Sequence, residues 1–148
     1  MIALGNDHAG YELKERIKKH LEEKNIEYTD YGSFDTESVD YPIYAAKAAH
    51  AVADGKAEFG ILCCGTGIGV SIAANKVKGI RAACCYDEFS AEMSKIHNNA
   101  NMICLGARTT DTERALRLVD IFLSAEAAHE ERHLRRIKML EDIENGLL

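Results

Sequence analysis

Tryptophan is absent from this sequence, and proline occurs once, at Pro42. No segment approaches the run of about 20 apolar residues that a membrane-spanning helix needs. The amino terminus lacks the basic segment and apolar stretch of a secretory signal peptide. Lysine and arginine form no dense run and the net charge is −6, which argues against a nucleic-acid partner. We therefore expect a cytoplasmic protein without membrane or nucleic-acid partners.

Cysteine is present, but in a pattern that suits neither of its usual structural roles. The five cysteines are an odd number, and they form two adjacent pairs and a single residue: Cys63, Cys64, Cys84, Cys85 and Cys104. This spacing matches neither a disulfide framework nor a set of metal ligands. A reducing compartment and free thiols are the simplest interpretation.

Short apolar runs alternate with amphipathic stretches along all 148 residues, which we interpret as one domain, residues 1–148. The predicted strands are Met1–Gly5, Ile26–Tyr31, Phe59–Cys63, Ile80–Cys85 and Met102–Leu105. The predicted helices are Tyr11–Lys24, Tyr44–Ala53, Ile68–Lys76, Glu88–Ile96, Thr110–Leu123 and His129–Glu144. Such alternation predicts an α/β fold: a Rossmann-like three-layer α/β/α sandwich with a five-stranded parallel sheet and an extra C-terminal helix. One long polar loop, residues 32–42, holds Pro42.

Polar residues follow three of these elements. Residues 6–8 (Asn-Asp-His) end the first strand, residues 64–66 (Cys-Gly-Thr) end the third, and residues 97–99 (His-Asn-Asn) end the helix after the fourth. Ligands of open parallel sheets bind beyond the carboxyl ends of the strands. We expect all three groups to converge at that edge.

Cys64 is the first candidate for chemistry, because it lies where an apolar strand gives way to glycine. A helix begins a few residues later, and a helix N-terminus favours a thiolate. The alternative is a buried structural cysteine, which is common. That simpler interpretation holds for Cys63 and for the three cysteines in later strands.

The glycines of the segment GTGIG, at positions 65, 67 and 69, allow backbone N–H groups to turn inward and bind an anion. The spacing is not the G-x-G-x-x-G of dinucleotide-binding proteins, and no P-loop motif is present. A tight strand-to-helix turn is the alternative.

Three other motifs have plain alternatives. Asp7 and His8 are either site residues or a helix cap, and His97 with its neighbours is either a site or a helix end. The segment HEERH, residues 129–133, matches a zinc motif, but no third ligand follows, so we predict no metal. Arg132 and Arg136 share one helix face and suit either a phosphate or solvent.

Several segments carry a resemblance to a known family. They are DHAG at 7–10, DYP at 40–42, CGTGIGVSIAANK at 64–76, GIRA at 79–82, HNNAN at 97–101, GAR at 106–108 and the pair Arg132 and Arg136. In this order they resemble the type B ribose-5-phosphate isomerases over the whole chain. The allose-6-phosphate and galactose-6-phosphate isomerases are similar over the same span.

The resemblance implies interconversion of ribose 5-phosphate and ribulose 5-phosphate, in the non-oxidative pentose phosphate pathway, without cofactor or metal. Cys64 would be the base, His97 would assist ring opening, and Thr66 would shuttle a proton between O1 and O2. One branch of the family uses a carboxylate at the position of Val70, which valine cannot replace.

The resemblance also implies the groups that bind the substrate. They are Asp7, His8, Tyr41, Gly65, Gly67, Ile68, Gly69, Asn98, Arg108, Arg132 and Arg136. Members of the family are dimers or tetramers with sites shared between chains, so Tyr41 and the arginines could come from either chain. Two alternatives stay open: a hexose-6-phosphate isomerase acting on a sugar such as allose 6-phosphate, and a non-catalytic module that binds a sugar phosphate or a nucleotide.

Overall fold

Five parallel strands form a single sheet in the computed structural model, which describes residues 1–148. The strands are β1 (Ile2–Asn6), β2 (Tyr28–Asp30), β3 (Phe59–Cys64), β4 (Ala82–Cys84) and β5 (Met102–Gly106). The helices are α1 (Tyr11–Glu23), α2 (Tyr41–Ala53), α3 (Ile68–Ala74), α4 (Glu88–Asn98), α5 (Thr112–Ser124) and α6 (Glu131–Glu144). A 3-10 turn, His8–Gly10, precedes α1. The predicted α/β fold, with its extra C-terminal helix, is confirmed.

The spatial order of the strands is β2-β1-β3-β5-β4. From β1 the chain first builds outward to β2 and then returns to place β3 on the other side of β1. The chain leaves β1 towards α1 on one face of the sheet and leaves β3 towards α3 on the other. A crevice therefore forms beyond the carboxyl ends of these two hydrogen-bonded strands. Residues that follow β1 and β3 lie at this point.

The side chains of the strands alternate between two buried layers, as the two-residue period of a strand requires. Ile61 and Cys63 point to the layer that contains α1, α4 and α5, while Leu62 and Cys64 point to the layer of α2 and α3. The first layer is built mainly from leucine and isoleucine. The second is rich in alanine, so α2 and α3 lie close to the sheet.

The boundaries of several elements differ from the sequence predictions. Helix α2 begins at Tyr41 instead of Tyr44, so Pro42 is in the first helical turn, where its missing N–H costs nothing. The edge strands β2 and β4 are shorter than predicted, because each has a hydrogen-bonding neighbour on one side only. Helix α6 begins at Glu131 instead of His129. The two histidines of HEERH therefore do not share one helix.

Helix α6 is attached to the chain mainly through α4 and through its own carboxyl end, where Gly79 N–H donates to Glu144 at 2.7 Å. His133 is its only buried residue. Its exposed apolar side chains are Leu134, Met139, Leu140 and Ile143. None of the six helices is long and apolar enough to cross a membrane.

Candidate active site

Cys64 ends β3 at the crevice, buried on the side of α2 and α3. Its Sγ accepts a hydrogen bond from the backbone N–H of Gly67, at 3.1 Å. Burial raises the pKa of each of the other four thiols, those of Cys63, Cys84, Cys85 and Cys104. Cys64 is the one cysteine whose sulfur accepts a hydrogen bond from a backbone N–H, and such a donor favours negative charge on sulfur.

The turn after Cys64 needs glycine at position 67 for two reasons. Gly67 has φ +78°, in the left-handed region, and a Cβ there would lie 3.0 Å from the backbone carbon of Leu105. The N–H of Ile68 donates to Thr66 Oγ1 at 3.2 Å. The N–H groups of Gly65, Thr66 and Gly69 make no hydrogen bond within the chain. Several backbone donors of one tight turn are thus free to bind an anionic oxygen.

Two side chains flank this turn. The ring of Tyr41, at the start of α2, packs against Gly69. A Cβ added at Gly69 would lie 3.0 Å from this ring. Arg108 follows β5, its N–H donates to the carbonyl of Gly65 at 2.9 Å, and its Nη1 lies 3.3 Å from a Cβ placed on Gly65. Tyr41 and Arg108 of one chain therefore border the turn of that same chain.

The end of β1 brings Asp7 and His8 to the same edge. Asp7 N–H donates to the carbonyl of Cys63 at 3.2 Å, and its carboxylate caps the 3-10 turn by accepting from Gly10 N–H at 3.0 Å. His8 Nδ1 accepts the N–H of Val39 at 3.2 Å, which leaves Nε2 as the protonated nitrogen of the ring. The predicted convergence of the ends of β1 and β3 is therefore what the fold produces.

Sequence reasoning missed Tyr86, which follows β4 at this edge. Its hydroxyl donates to the carbonyl of Thr66 at 3.0 Å, and Cys84 Sγ lies 3.6 Å from the same oxygen. The prediction of a purely structural role for Cys84 therefore did not include its contact with the turn after Cys64. A signal was available, because Tyr86 comes two residues after the end of a parallel strand, as Asp7 and Arg108 follow theirs.

The expectation that His97 and Asn98 join this cluster within one chain is wrong. Helix α4 starts after the carboxyl end of β4 and ends before the amino end of β5, so it runs the length of the sheet. Asn101, just beyond it, bonds through its backbone to Gly60 and Arg81 at the amino ends of β3 and β4. Eleven helical residues span about 16 Å, which separates His97 from the edge that holds Cys64.

A second polar cluster forms at that amino edge. The rings of His97 and His133 stack with their centroids 4.6 Å apart and their planes at 8°. Arg132 Nε donates to His133 Nε2 at 3.4 Å, so that nitrogen carries no proton. Burial, and then the neighbouring His97 and Arg132, lower the pKa of His133. Arg136 lies one turn further along α6 and is exposed.

Asn98, also at the amino edge, lines a cleft of about 430 Å³ under the carboxyl half of α6. Leu140 and Ile143 form the apolar side of this cleft. No group of three or more histidine, cysteine, aspartate or glutamate side chains in the chain is arranged to hold a metal ion.

Known proteins match this chain over nearly its full length. The model of the Ribose/Galactose Isomerase family matches residues 2–140. Ribose-5-phosphate isomerase B of Escherichia coli is 45% identical over 143 residues, 97% of this chain and 95% of that protein. D-erythrulose-4-phosphate isomerase of Pectobacterium atrosepticum is 48% identical over 126 residues, 84% of this chain and 83% of that protein.

Among solved structures, that of Clostridium thermocellum ribose-5-phosphate isomerase B superposes with a TM-score of 0.96. It is 45% identical in sequence, and the match covers 99% of each chain. Sequence and fold agree over the same residues, from β1 to α6. The chain therefore belongs to the ribose/galactose isomerase family.

Proposed function

We propose that this chain, acting through residues 1–148 as one domain, interconverts ribose 5-phosphate and ribulose 5-phosphate in the non-oxidative pentose phosphate pathway. One observation carries the proposal: Cys64 Sγ lies at the crevice of the sheet and accepts the N–H of Gly67 at 3.1 Å. An aldose–ketose isomerase needs a base beside donors that stabilise a developing oxyanion. The turn after β3 supplies both from consecutive residues.

The reaction moves one proton between carbons and one between oxygens. The Cys64 thiolate removes the proton from C2 of the open-chain aldose, and the electrons pass through C1 to O1, forming an enediolate. The proton on O2 moves to O1 through the hydroxyl of Thr66. Cys64 then returns its proton to C1, which leaves a carbonyl at C2 and completes the ketose. No electron is gained or lost overall, so the reaction requires no redox partner.

The residues around Cys64 then have distinct roles. The free N–H groups of Gly65, Thr66 and Gly69 stabilise the enediolate oxygens. Those of Gly67 and Ile68 hold the two reacting side chains, by donating to Cys64 Sγ and to Thr66 Oγ1. Asp7, His8 and Tyr41 border the space above the turn and bind sugar hydroxyls. Arg108 binds the phosphate, which places binding energy away from the reacting carbons, where it helps to position C1 and C2.

We further propose that a second copy of the chain completes each site, as a homodimer or a dimer of dimers. His97, Asn98, Arg132 and Arg136 lie at the opposite edge of their own sheet, too far from their own Cys64 to act on the same sugar. The uncovered apolar side chains of α6 beside them favour burial against another chain. His97 of the second copy would open the furanose ring, and its arginines would hold the phosphate with Arg108.

The size of the sugar is the point on which related proteins differ. The Pectobacterium relative is named for a four-carbon substrate and is as similar to this chain as the five-carbon isomerases. A tetrose 4-phosphate is therefore the second candidate substrate, ahead of allose 6-phosphate.

Turnover of the purified, chelator-treated protein on ribose 5-phosphate, D-erythrulose 4-phosphate and allose 6-phosphate tests the proposal. We expect the highest kcat/KM on ribose 5-phosphate. Preference for another of the three sugars would keep the chemistry and replace the substrate. Folded protein that turns over none of them would overturn the isomerase proposal.

A further inference from the structure

The Thr66–Gly67 peptide group connects Cys64 to a residue that has no part in the reaction described above. Its N–H donates to Cys64 Sγ at 3.1 Å, and its carbonyl accepts the Tyr86 hydroxyl at 3.0 Å. A trans peptide group is planar, with its N–H and C=O pointing in opposite directions. Fixing the direction of the carbonyl therefore fixes the direction of the N–H.

This peptide group needs to be held, because glycine follows it. A peptide plane can rotate when the residue after it tolerates both signs of φ, and glycine is the residue that does so at little cost. Gly67 has φ +78° here. A rotated plane would point the Thr66 carbonyl oxygen, instead of the Gly67 N–H, towards the sulfur, and that arrangement would repel a thiolate.

The surroundings of the Thr66 carbonyl are built for this one orientation. A Cβ on Gly106 would lie 2.7 Å from both the carbon and the oxygen of that carbonyl, so only glycine leaves room for it. Cys84 Sγ lies 3.6 Å from the oxygen and 3.5 Å from the Tyr86 hydroxyl. Tyr86 supplies the short hydrogen bond of this set. The pKa of Tyr86 is raised to about 12 beside the Cys84 sulfur, so the hydroxyl keeps its proton and remains the donor to Thr66.

We propose that Tyr86 is a positioning residue, which holds the Thr66–Gly67 peptide group so that its N–H stays aimed at the sulfur of Cys64. The inference rests on the proposed role of Cys64 as the base. Tyr86 itself makes no hydrogen bond to Cys64 Sγ. It acts through the peptide group, and its effect is to favour the thiolate of Cys64, which is the form that acts as nucleophile and base.

The test is Tyr86→Phe, which removes the hydroxyl and keeps the ring. The probe is iodoacetamide, with alkylation at Cys64 quantified by peptide mass spectrometry between pH 6 and 10. We expect alkylation of Cys64 at pH 7 to slow by about five- to ten-fold, which corresponds to the free energy of roughly one hydrogen bond. The pH profile of alkylation should move to higher pH. The value of kcat should fall by a similar factor, with KM changed less than kcat.

Tyr28→Phe is the matched control, because the hydroxyl of Tyr28 donates to Glu22 on the surface, remote from the turn. It should leave alkylation, kcat and thermal stability as in the wild type. An alkylation profile of Tyr86→Phe that superposes on the wild type would overturn the inference. So would a change confined to KM, since Tyr86 would then be a substrate contact.

The alkylation measurement needs no turnover, so the two proposals fail separately. A wild-type protein without isomerase activity, whose Tyr86→Phe variant still has a shifted alkylation profile, would remove the proposed function and keep the positioning role. An active wild type whose Tyr86→Phe variant is unchanged in alkylation and kcat would do the reverse.

Discussion

The two edges of the sheet hold their polar side chains in different ways. At the carboxyl edge, Asp7, Cys64 and Arg108 are each fixed by backbone hydrogen bonds from the end of a neighbouring strand. At the amino edge, His97 and the arginines of α6 stand on helix ends, beside apolar side chains that nothing in the chain covers. The difference supports the proposal that the carboxyl edge provides the base and the oxyanion donors, and that a second copy of the chain supplies the amino-edge groups that complete the site.

Substitution at the carboxyl edge should have the largest effect. We expect Cys64→Ala to lower kcat by about 10³-fold or more, the usual contribution of a general base, while circular dichroism shows the fold intact. Cys63→Ala is the matched control, one residue away but facing the other layer of helices, and should keep kcat within a few-fold. Turnover of Cys64→Ala near the wild-type rate would remove Cys64 from the mechanism.

Mixing two variants, each altered at a different edge, tests whether the two edges act in one site. Cys64→Ala and His97→Asn should each be inactive alone, and mixing them under conditions that allow subunit exchange should restore activity. Random exchange makes half of the dimers mixed, each with one intact site of two, so recovery should reach about a quarter of wild-type activity. If Cys64 and His97 serve the same site in one chain, the mixture stays inactive.

Arg136→Ala should produce a smaller effect at the amino edge. Loss of a charged hydrogen bond to the phosphate is expected to raise KM by about ten-fold and to change kcat much less. Arg135→Ala, on the adjacent position of α6, is the control and should change neither value. An unchanged KM for Arg136→Ala would place the phosphate elsewhere.

Lys95 gives the smallest predicted effect, on stability alone. Its ammonium lies 3.2 Å from the centroid of Phe59 and 4.9 Å from that of Phe122, and burial lowers its pKa from 10.5 to about 8. Between these two values the unfolded chain binds more protons than the folded chain, so stability rises with pH in that window.

Lys95→Met removes this titration. The variant should unfold at a higher urea concentration than the wild type at pH 7, and its advantage should shrink as pH rises from about 8 to 10. Lys76→Met, at an exposed position, is the control with no such dependence. An advantage that is constant with pH would mean that packing, and not the buried charge, is the cause.

Much of this molecule could be predicted from its sequence, because its signals are local. Continuous apolar runs such as Phe59–Cys64 predict central strands, and the glycines after Cys64 predict the turn. The wrong position expected for His97 was an error of inference. A helix that joins two parallel strands returns from the carboxyl edge to the amino edge, so the predicted parallel sheet already places the end of α4 at the amino edge.

Tyr86 illustrates a limit of sequence reasoning. Nothing in the residue type or its spacing specifies that its hydroxyl meets the carbonyl of Thr66, because that contact depends on β5 lying between β3 and β4. Strand order is a long-range property of packing, and a single sequence carries little direct information about it. The remaining roles of the site residues stay predictions for the experiments above.

The alternation of side chains along β3 has a consequence for reagents that grip two sulfurs at once. Cys63 and Cys64 are neighbours in sequence, yet one faces the layer of α1, α4 and α5 and the other the layer of α2 and α3. The backbone of the strand stands between the two thiols. Trivalent arsenicals bind tightly only when two sulfurs reach the same arsenic atom. They would therefore not bridge Cys63 and Cys64, although the two cysteines are adjacent in the sequence.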